Sequence, residues 1–154
     1  MLALKTGDPA PPFDLPTVGG GRVSLASLKG KRVVVYFYPK DDTPGCTQEA
    51  LNFTEKSAAF ASAKTQVVGI SRDSVAKHGR FAAKHGLGIT LLSDEDGAVC
   101  EAYGVWVEKK LYGRVSMGIE RATFLIDSKG RIERIWRKVK VPGHVEEVLA
   151  AINS

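Results

Sequence analysis

The residue best suited to chemistry in this chain is a cysteine at the start of a predicted helix. Cys46 ends the run Pro39-Lys40-Asp41-Asp42-Thr43-Pro44-Gly45-Cys46. Threonine is a good N-cap and proline is favoured at the first helical position, so Thr43 and Pro44 place Cys46 in the first turn. A thiolate there lies beside free backbone N–H groups at the positive end of the helix dipole. Such settings lower the pKa of cysteine thiols in general, and the thiolate is the nucleophilic form.

The pattern around Cys46 also predicts which way its side chain points. One stripe of the predicted helix carries Cys46, Ala50, Phe53, Ser57 and Phe60. We expect this stripe to face a sheet, because residues at helical spacing share one face. The preceding run, Arg32 to Tyr38, has the β-branched and aromatic composition of a strand buried on both faces. Cys46 should then lie at the carboxyl end of that strand, where open α/β sheets bind ligands; the alternative is that Cys46 is simply a small core residue.

A reactive thiolate needs a cation beside it, and Arg121 is the candidate. Arg121 immediately precedes the predicted strand 122–126. If that strand runs antiparallel to 32–38, its beginning lies next to the end of the first strand, and Arg121 reaches the Cys46 pocket. Arginine stays charged and offers a fork of donors. Glu49 follows Cys46 on the same side of the helix, within reach of such an arginine; the alternatives are a surface arginine and a solvated first-turn acid.

The elements that must position these residues follow the order β-α-β-α-β-α-β-β-α. Predicted strands cover 32–38, 66–71, 89–92, 122–126 and 132–136, and the turn 127–130 joins the last two. Predicted helices cover 44–63, 74–85, 94–103 and 143–152. Alternation predicts parallel strands with helices on the faces. We therefore predict one α/β domain over 1–154, a thioredoxin-like fold with a central mixed sheet flanked by helices, in which an N-terminal extension (7–22) and the region 89–118 are additions.

Composition excludes several classes of protein. The hydrophobic content of 44% and charged content of 25% are ordinary for a globular chain. The net charge is +5, but the most basic segment, 134–140, alternates charged and apolar residues, which favours a strand over a nucleic-acid site. No stretch approaches the roughly 20 apolar residues of a membrane span, and residues 1–8 do not resemble a signal peptide. We expect a cytoplasmic protein with no membrane or nucleic-acid partner.

Around Cys46 the chain resembles the peroxiredoxin family. The family's reactive-site pattern, Pro-x-x-x-Thr/Ser-x-x-Cys, is met by Pro39, Thr43 and Cys46. The wider run 37–49 resembles the bacterioferritin comigratory protein, or peroxiredoxin Q, subgroup. Further similarity lies in 69–73, 92–96, 103–106 and 118–126, so the resemblance covers nearly the whole chain.

The resemblance implies a thiol peroxidase that reduces hydrogen peroxide and organic hydroperoxides. Cys46 would attack the terminal peroxide oxygen and become a sulfenic acid. The Thr43 hydroxyl and the Cys46 N–H would orient the peroxide, and Arg121 would stabilise the thiolate and the transferring oxygen. Pro39 would shield the pocket from water, and Glu49 would steer Arg121. No metal or other cofactor is implied, and the subgroup favours a monomer.

The chain departs from the subgroup at the second, resolving cysteine. Many members carry it five residues after the reactive one, where this chain has Leu51; others place it in the region of 81–84, where this chain also has none. Cys100 alone remains, and its apolar surroundings indicate an ordinary core residue. A disulfide needs Cα atoms within about 7 Å, which the predicted fold does not favour. We therefore expect an external thiol such as thioredoxin or glutaredoxin to resolve the sulfenic acid, with Cys100 as the less favoured alternative and a replaced resolving cysteine also open.

Two rival functions can be set against this interpretation. A thioredoxin-type oxidoreductase would need a CxxC motif, and position 49 is Glu49. A redox-sensing or chaperone-like binding protein would use Cys46 oxidation as a signal. No long exposed apolar segment is predicted to support that second alternative.

Overall fold

The computed structural model describes residues 3–154 and contains nine strands and five α-helices within them. The strands are β1 (Asp14–Pro16), β2 (Arg22–Ser24), β3 (Arg32–Phe37), β4 (Thr65–Ser71), β5 (Thr90–Ser93), β6 (Trp106–Leu111), β7 (Arg114–Ile119), β8 (Ala122–Ile126) and β9 (Ile132–Trp136). The helices are α1 (Pro44–Glu55), α2 (Ser57–Ser62), α3 (Val75–His85), α4 (Ala98–Ala102) and α5 (His144–Asn153). A short 3-10 turn covers Ala26–Leu28.

A mixed five-stranded sheet forms the centre of the fold, in the order β5-β4-β3-β8-β9. β3, β4 and β5 are parallel neighbours, whereas β8 runs antiparallel to both β3 and β9. This confirms the predicted α/β class, with its parallel half and its final antiparallel hairpin. β3 lies at the centre of the sheet because its β-branched and aromatic side chains can be buried on both faces.

The two faces of the sheet are covered by different parts of the chain. Alternate β3 residues Val34 and Tyr36 face a core that also includes residues of α1, α2, α3 and α5. Val33, Val35 and Phe37 face the opposite core, which includes α4 and the N-terminal segment. The predicted N-terminal extension is therefore part of the core, and it also forms the β1–β2 hairpin, which the sequence pattern did not reveal.

Two predicted helices are shorter than the sequence pattern indicated. The helix predicted over 44–63 is interrupted at Lys56. The Thr54 hydroxyl donates to the Ala50 carbonyl at 2.8 Å, a backbone contact that bends helices. The helix predicted over 94–103 begins only at Ala98, because the Asp94 carboxylate instead accepts hydrogen bonds from backbone N–H groups of the first turn of α4.

The region 89–118 was also assigned incorrectly as one addition. Residues Thr90–Ser93 form β5 and belong to the central sheet, where β5 pairs with β4. The genuine addition is the two-stranded hairpin β6–β7, whose register joins Trp106 to Ile119. Within residues 3–154, no helix has both the length and the apolar composition that crossing a membrane requires.

Candidate active site

Cys46 lies in the first turn of α1, on the side that packs against the sheet. Thr43 is the N-cap, with φ −94° and ψ 156°, and Pro44 follows as the first helical residue. The Cys46 side chain is almost fully buried, at 2% exposure. The Thr43 hydroxyl makes no capping hydrogen bond; it donates to the Lys40 carbonyl at 2.9 Å. Its lone pairs therefore remain able to accept a hydrogen bond from a small molecule beside Cys46.

Arg121 immediately precedes β8, and the sheet register brings it to Cys46. Ala122 pairs with Phe37, the last residue of β3, so the residue before β8 lies beside the loop that leaves β3. The Arg121 carbonyl accepts a hydrogen bond from the Val139 N–H at 3.0 Å, which holds its backbone. Its Nη2 donates to Cys46 Sγ at 3.3 Å. A permanent cation therefore contacts the sulfur directly.

Gly45 provides the space for this contact. A Cβ atom at position 45 would lie 3.2 Å from Arg121 Nη2, closer than nine in ten real Cβ contacts. The guanidinium can approach the helix start because this residue has no side chain.

Glu49 binds the other side of the guanidinium. Nη1 of Arg121 donates to Glu49 Oε1 at 2.7 Å, and the Glu49 side chain is completely buried. Glu49 Oε2 makes no hydrogen bond to any other residue of the described chain, 3–154. Burial raises the pKa of Glu49 to about 7, although the Arg121 guanidinium acts in the opposite direction. Burial also acts to lower the pKa of Arg121, but Glu49 and Cys46 beside it produce a net rise, so Arg121 stays charged.

Replacing Glu49 by glutamine should change how stability depends on pH. The folded protein keeps a proton on Glu49 up to about pH 7, whereas an ordinary glutamate with a pKa of 4.5 has released it. The folded state therefore binds more protons in that window, and stability falls as pH rises through it, by up to about 3 kcal/mol. Urea unfolding at about pH 5 and about pH 8 should show this component in the parent protein and not in Glu49→Gln.

Glu55, an exposed glutamate at the end of the same helix, provides the matched control. Glu55→Gln should keep the pH dependence of the parent protein. If Glu49→Gln also kept it, the raised pKa of Glu49 would be wrong.

Pro39 lines a cavity of about 410 Å³ between the reactive loop and the β6–β7 hairpin. Trp106, Met117 and Ile119 supply apolar wall, and Lys109 adds a cation. Burial lowers the pKa of Lys109, and the charge of Arg121 lowers it further. The cavity is large enough for a small organic molecule.

Cys100 lies on the opposite face of the central sheet from Cys46. Cys46 belongs to the core that contains Val34, whereas Cys100 belongs to the core that contains Val33. Cys100 is completely buried, and both cysteines are free. Burial raises the pKa of the Cys100 thiol, and the neighbouring Asp94 raises it further. The sheet therefore separates the two sulfurs, and the Cys100 thiol is poorly suited to act as a thiolate.

A buried polar network beside the reactive loop was missed in the sequence analysis. Asp41 is bonded to the side chains of Tyr38 and His78, and the Asp41 N–H to Asp73. One signal was available: His78 and Phe81 lie on the same face of α3, where a histidine among apolar residues needs a polar partner.

Three residues of the same network could in principle hold a metal ion. Asp41, Asp73 and His78 offer ligand atoms within 4.8 Å of one another. Both ring nitrogens of His78 already have partners, Asp41 Oδ2 at 2.6 Å and the Leu92 carbonyl at 2.9 Å. The ring therefore has no lone pair directed at an ion, and the arrangement fits a hydrogen-bond network better than a metal site.

Comparison with known proteins places these features in context. The family model described as AhpC/TSA family matches residues 6–135. A putative peroxiredoxin bcp from Coxiella burnetii is 52% identical over 151 residues, which is 98% of this chain and 100% of the relative.

Two similar solved structures also align with most of this chain. A peroxiredoxin Q cysteine-to-serine mutant from Xylella fastidiosa aligns with a TM-score of 0.94 and 40% identity, over 99% of this chain and 98% of that one. The Xanthomonas campestris bacterioferritin comigratory protein, studied for alkyl peroxide reduction, aligns with a TM-score of 0.88 and 45% identity, over 92% of this chain and 90% of that one.

Proposed function

Since this chain belongs to the AhpC/TSA family and is a thiol peroxidase of the peroxiredoxin type, we propose that it reduces hydroperoxides with Cys46 as its peroxidatic cysteine. The observation that carries this assignment is the contact between Arg121 Nη2 and Cys46 Sγ at the start of α1. A helix N-terminus and a permanent cation both lie beside this sulfur, which is the setting in which cysteines act as nucleophiles. The peroxidase uses a peroxide substrate and a thiol reductant.

The first step is nucleophilic attack by the Cys46 thiolate on the terminal oxygen of the hydroperoxide. The S–O bond forms as the O–O bond breaks, and the sulfur is oxidised to a sulfenic acid while the peroxide is reduced. The leaving oxygen takes a proton and departs as water or an alcohol. Negative charge moves from sulfur towards the leaving oxygen, and the Arg121 guanidinium lies where it can stabilise both ends of that transfer.

The remaining site residues position the peroxide and Arg121. The Thr43 hydroxyl, which donates to the Lys40 carbonyl, can accept the peroxide's own hydrogen bond. Glu49 fixes the guanidinium from the side opposite Cys46. Pro39 removes a donor from the loop and shields the sulfur, and the cavity beside it would accommodate the carbon portion of an organic hydroperoxide.

The second half of the cycle uses thiols from outside the chain. One external thiol condenses with the sulfenic acid to release water and form a mixed disulfide, and a second thiol reduces that disulfide and restores Cys46. Thioredoxin and glutaredoxin are the proposed reductants. This route is favoured over an internal disulfide because Cys100 lies across the sheet.

A cytoplasmic location and a monomeric state complete the proposal. The cycle consumes thiols, and reducing compartments maintain them. The Cys46 site is built from α1 and from Arg121, just before β8, of a single chain. A second copy is therefore not needed for the chemistry.

Intact-mass analysis after one equivalent of hydrogen peroxide tests this scheme. A gain of one oxygen on Cys46 is expected, because the sulfenic acid has no internal partner. Continuous peroxide consumption with dithiothreitol should accompany it. Oxidation that stops after one equivalent, with no turnover under any thiol, would instead favour a redox sensor.

Replacing Cys100 by serine should leave turnover with dithiothreitol within about twofold of the parent protein, since Cys100 is proposed to play no part in the cycle. The variant buries a hydroxyl in place of a thiol, so its folding should be checked by thermal melting. Loss of turnover in a folded Cys100→Ser protein, or a loss of two hydrogens in the mass of the oxidised parent, would assign the resolving role to Cys100.

A further inference from the structure

The loop between β3 and α1 leads directly into the reactive cysteine, and its residue Asp41 is bound from three sides. The side chain is 2% exposed. Oδ1 accepts a hydrogen bond from the Tyr38 hydroxyl at 2.5 Å, and Oδ2 lies 2.6 Å from Nδ1 of His78. The Asp41 backbone N–H donates to Asp73 Oδ2 at 2.8 Å. Apart from Tyr38, these contacts come from α3 and the residues just before it.

The His78 ring must share a proton with Asp41. Nε2 lies 2.9 Å from the Leu92 carbonyl, which can only accept, so Nε2 carries a hydrogen. In a neutral ring Nδ1 would then be an acceptor facing a carboxylate oxygen. A separation of 2.6 Å between two acceptors requires a proton between them. Whichever partner holds that proton, the contact is a short, charge-assisted hydrogen bond in a completely buried position.

The next residue of the loop is also bound to α3. Asp42 has a φ of 62°, a left-handed conformation that is uncommon outside glycine. Its carboxylate accepts hydrogen bonds from Lys84 Nζ and His85 Nε2, both at 2.8 Å. These bonds hold the pKa of Asp42 below its ordinary value. The strained turn is therefore maintained by contacts at the C-terminal end of α3.

We propose that His78 is a positioning residue for the peroxidase reaction: through Asp41 it fixes the loop that places Thr43 and the N-terminus of α1. The proposal rests on Cys46 being the reactive residue. His78 itself touches neither Cys46 nor Arg121 through any hydrogen bond of residues 3–154. It acts through the loop, because a displacement of about 1 Å at the reacting atoms can cost about a hundredfold in rate.

Two substitutions separate this role from ordinary core stability. In His78→Asn the side-chain amide nitrogen can occupy the place of Nδ1 and still donate to Asp41. In His78→Gln it can occupy the place of Nε2 and donate to the Leu92 carbonyl, but the bond to Asp41 is lost. Both variants replace a buried ring with a smaller amide, so both lose packing.

Two reactions of Cys46 should be measured in each variant: oxidation by hydrogen peroxide and alkylation by iodoacetamide. Peroxide reduction requires that Thr43, Arg121 and the sulfur keep their relative positions. Alkylation of a buried sulfur does not, and it becomes easier when a displaced loop exposes the sulfur. His78→Gln should slow peroxide oxidation by about tenfold or more while alkylation stays equal or becomes faster. His78→Asn should remain within about threefold of the parent protein in both reactions.

His144→Gln is the matched control. His144 is also a buried histidine, but it lies on α5 and its Nε2 is bonded to Thr123 Oγ1 at 2.8 Å. Its peroxide rate should match the parent protein. Equal peroxide rates in His78→Gln and the parent, or equal slowing in all three variants, would overturn the proposal.

Hydrogen exchange of the parent protein tests the same link without a substitution. The Asp41 amide, which donates to Asp73, should be protected to the same degree as the amides of α3, since loop and helix would open together. Fast exchange at Asp41 beside a protected α3 would contradict the proposal even if the His78 variants do not fold. A parent protein that does not react with peroxide would contradict the peroxidase assignment. The role of His78 is judged only from differences between its variants and an active parent.

Discussion

Replacing Cys46 by serine is expected to reduce thiol-dependent peroxide turnover by at least about 10³-fold, to the level of the uncatalysed reaction. A serine hydroxyl stays protonated at neutral pH and cannot form the sulfenic acid on which the cycle depends. The substitution removes little volume, so the buried position at the start of α1 should tolerate it. Peroxide consumption with dithiothreitol, measured with a peroxide-specific colorimetric assay, gives the comparison.

The control for this prediction is Cys100→Ser. Both variants lose one buried thiol from the first turn of a helix, but only Cys46 contacts Arg121, whereas the first turn of α4 is capped by the Asp94 carboxylate. Serine at position 46 should abolish turnover while serine at position 100 preserves it. Turnover by a folded Cys46→Ser protein would place the chemistry elsewhere in the chain.

Replacing Arg121 by alanine is expected to slow the reaction of Cys46 with peroxide by about 10²–10³-fold, the range for loss of one preorganised donor to a developing charge. Arg121 contacts the sulfur through Nη2 and Glu49 through Nη1. Lysine keeps the charge but lacks the fork, so Arg121→Lys should be intermediate. Stopped-flow measurement of the second-order rate constant with hydrogen peroxide distinguishes the three proteins.

Loss of Arg121 also leaves the buried Glu49 without its cation, and this stability effect must be separated from the rate effect. The double variant Arg121→Ala with Glu49→Gln removes the unpaired carboxylate. It should be more stable than Arg121→Ala at about pH 8, yet equally slow with peroxide. If its rate returned to that of the parent protein, Arg121 would act on folding and not on the reaction.

A matched arginine control is available near the site. Arg137 is partly exposed and interacts with Glu120 and the Gly104 carbonyl, without contact to Cys46. Arg137→Ala should keep the peroxide rate of the parent protein. A slowing comparable to that of Arg121→Ala would show that general positive charge, and not the contact at 3.3 Å, governs the reaction.

The start of α1 could be predicted from sequence because its determinants are local. Thr43 and Pro44 have backbone preferences that favour a helix start whatever surrounds them, and Cys46 follows in the first turn. The antiparallel pairing of 122–126 with the first buried strand was only assumed from the sequence, and the register of β3 and β8 shows that it exists. That pairing is what brings Arg121 to the site.

The errors in the helix boundaries arose where a polar side chain bonded to the backbone close to it in the chain. The predicted helix over 44–63 is interrupted because the Thr54 hydroxyl bonds to a backbone carbonyl of its own helix. The helix predicted from Asp94 starts later because that carboxylate serves as an external cap. Helical spacing of apolar residues is the same in both cases, so periodicity alone could not show either boundary.

The sequence by itself therefore predicted a candidate nucleophile, the helix that carries it and the strands on either side, since these follow from backbone and burial preferences of neighbouring residues. Only the tertiary structure decided that Cys100 lies across the sheet from Cys46, that one buried oxygen of Glu49 has no partner among residues 3–154, and that His78 contacts Asp41. Such relations join residues far apart in the chain. They depend on sheet order and on how the helices pack, which no short run of residues encodes.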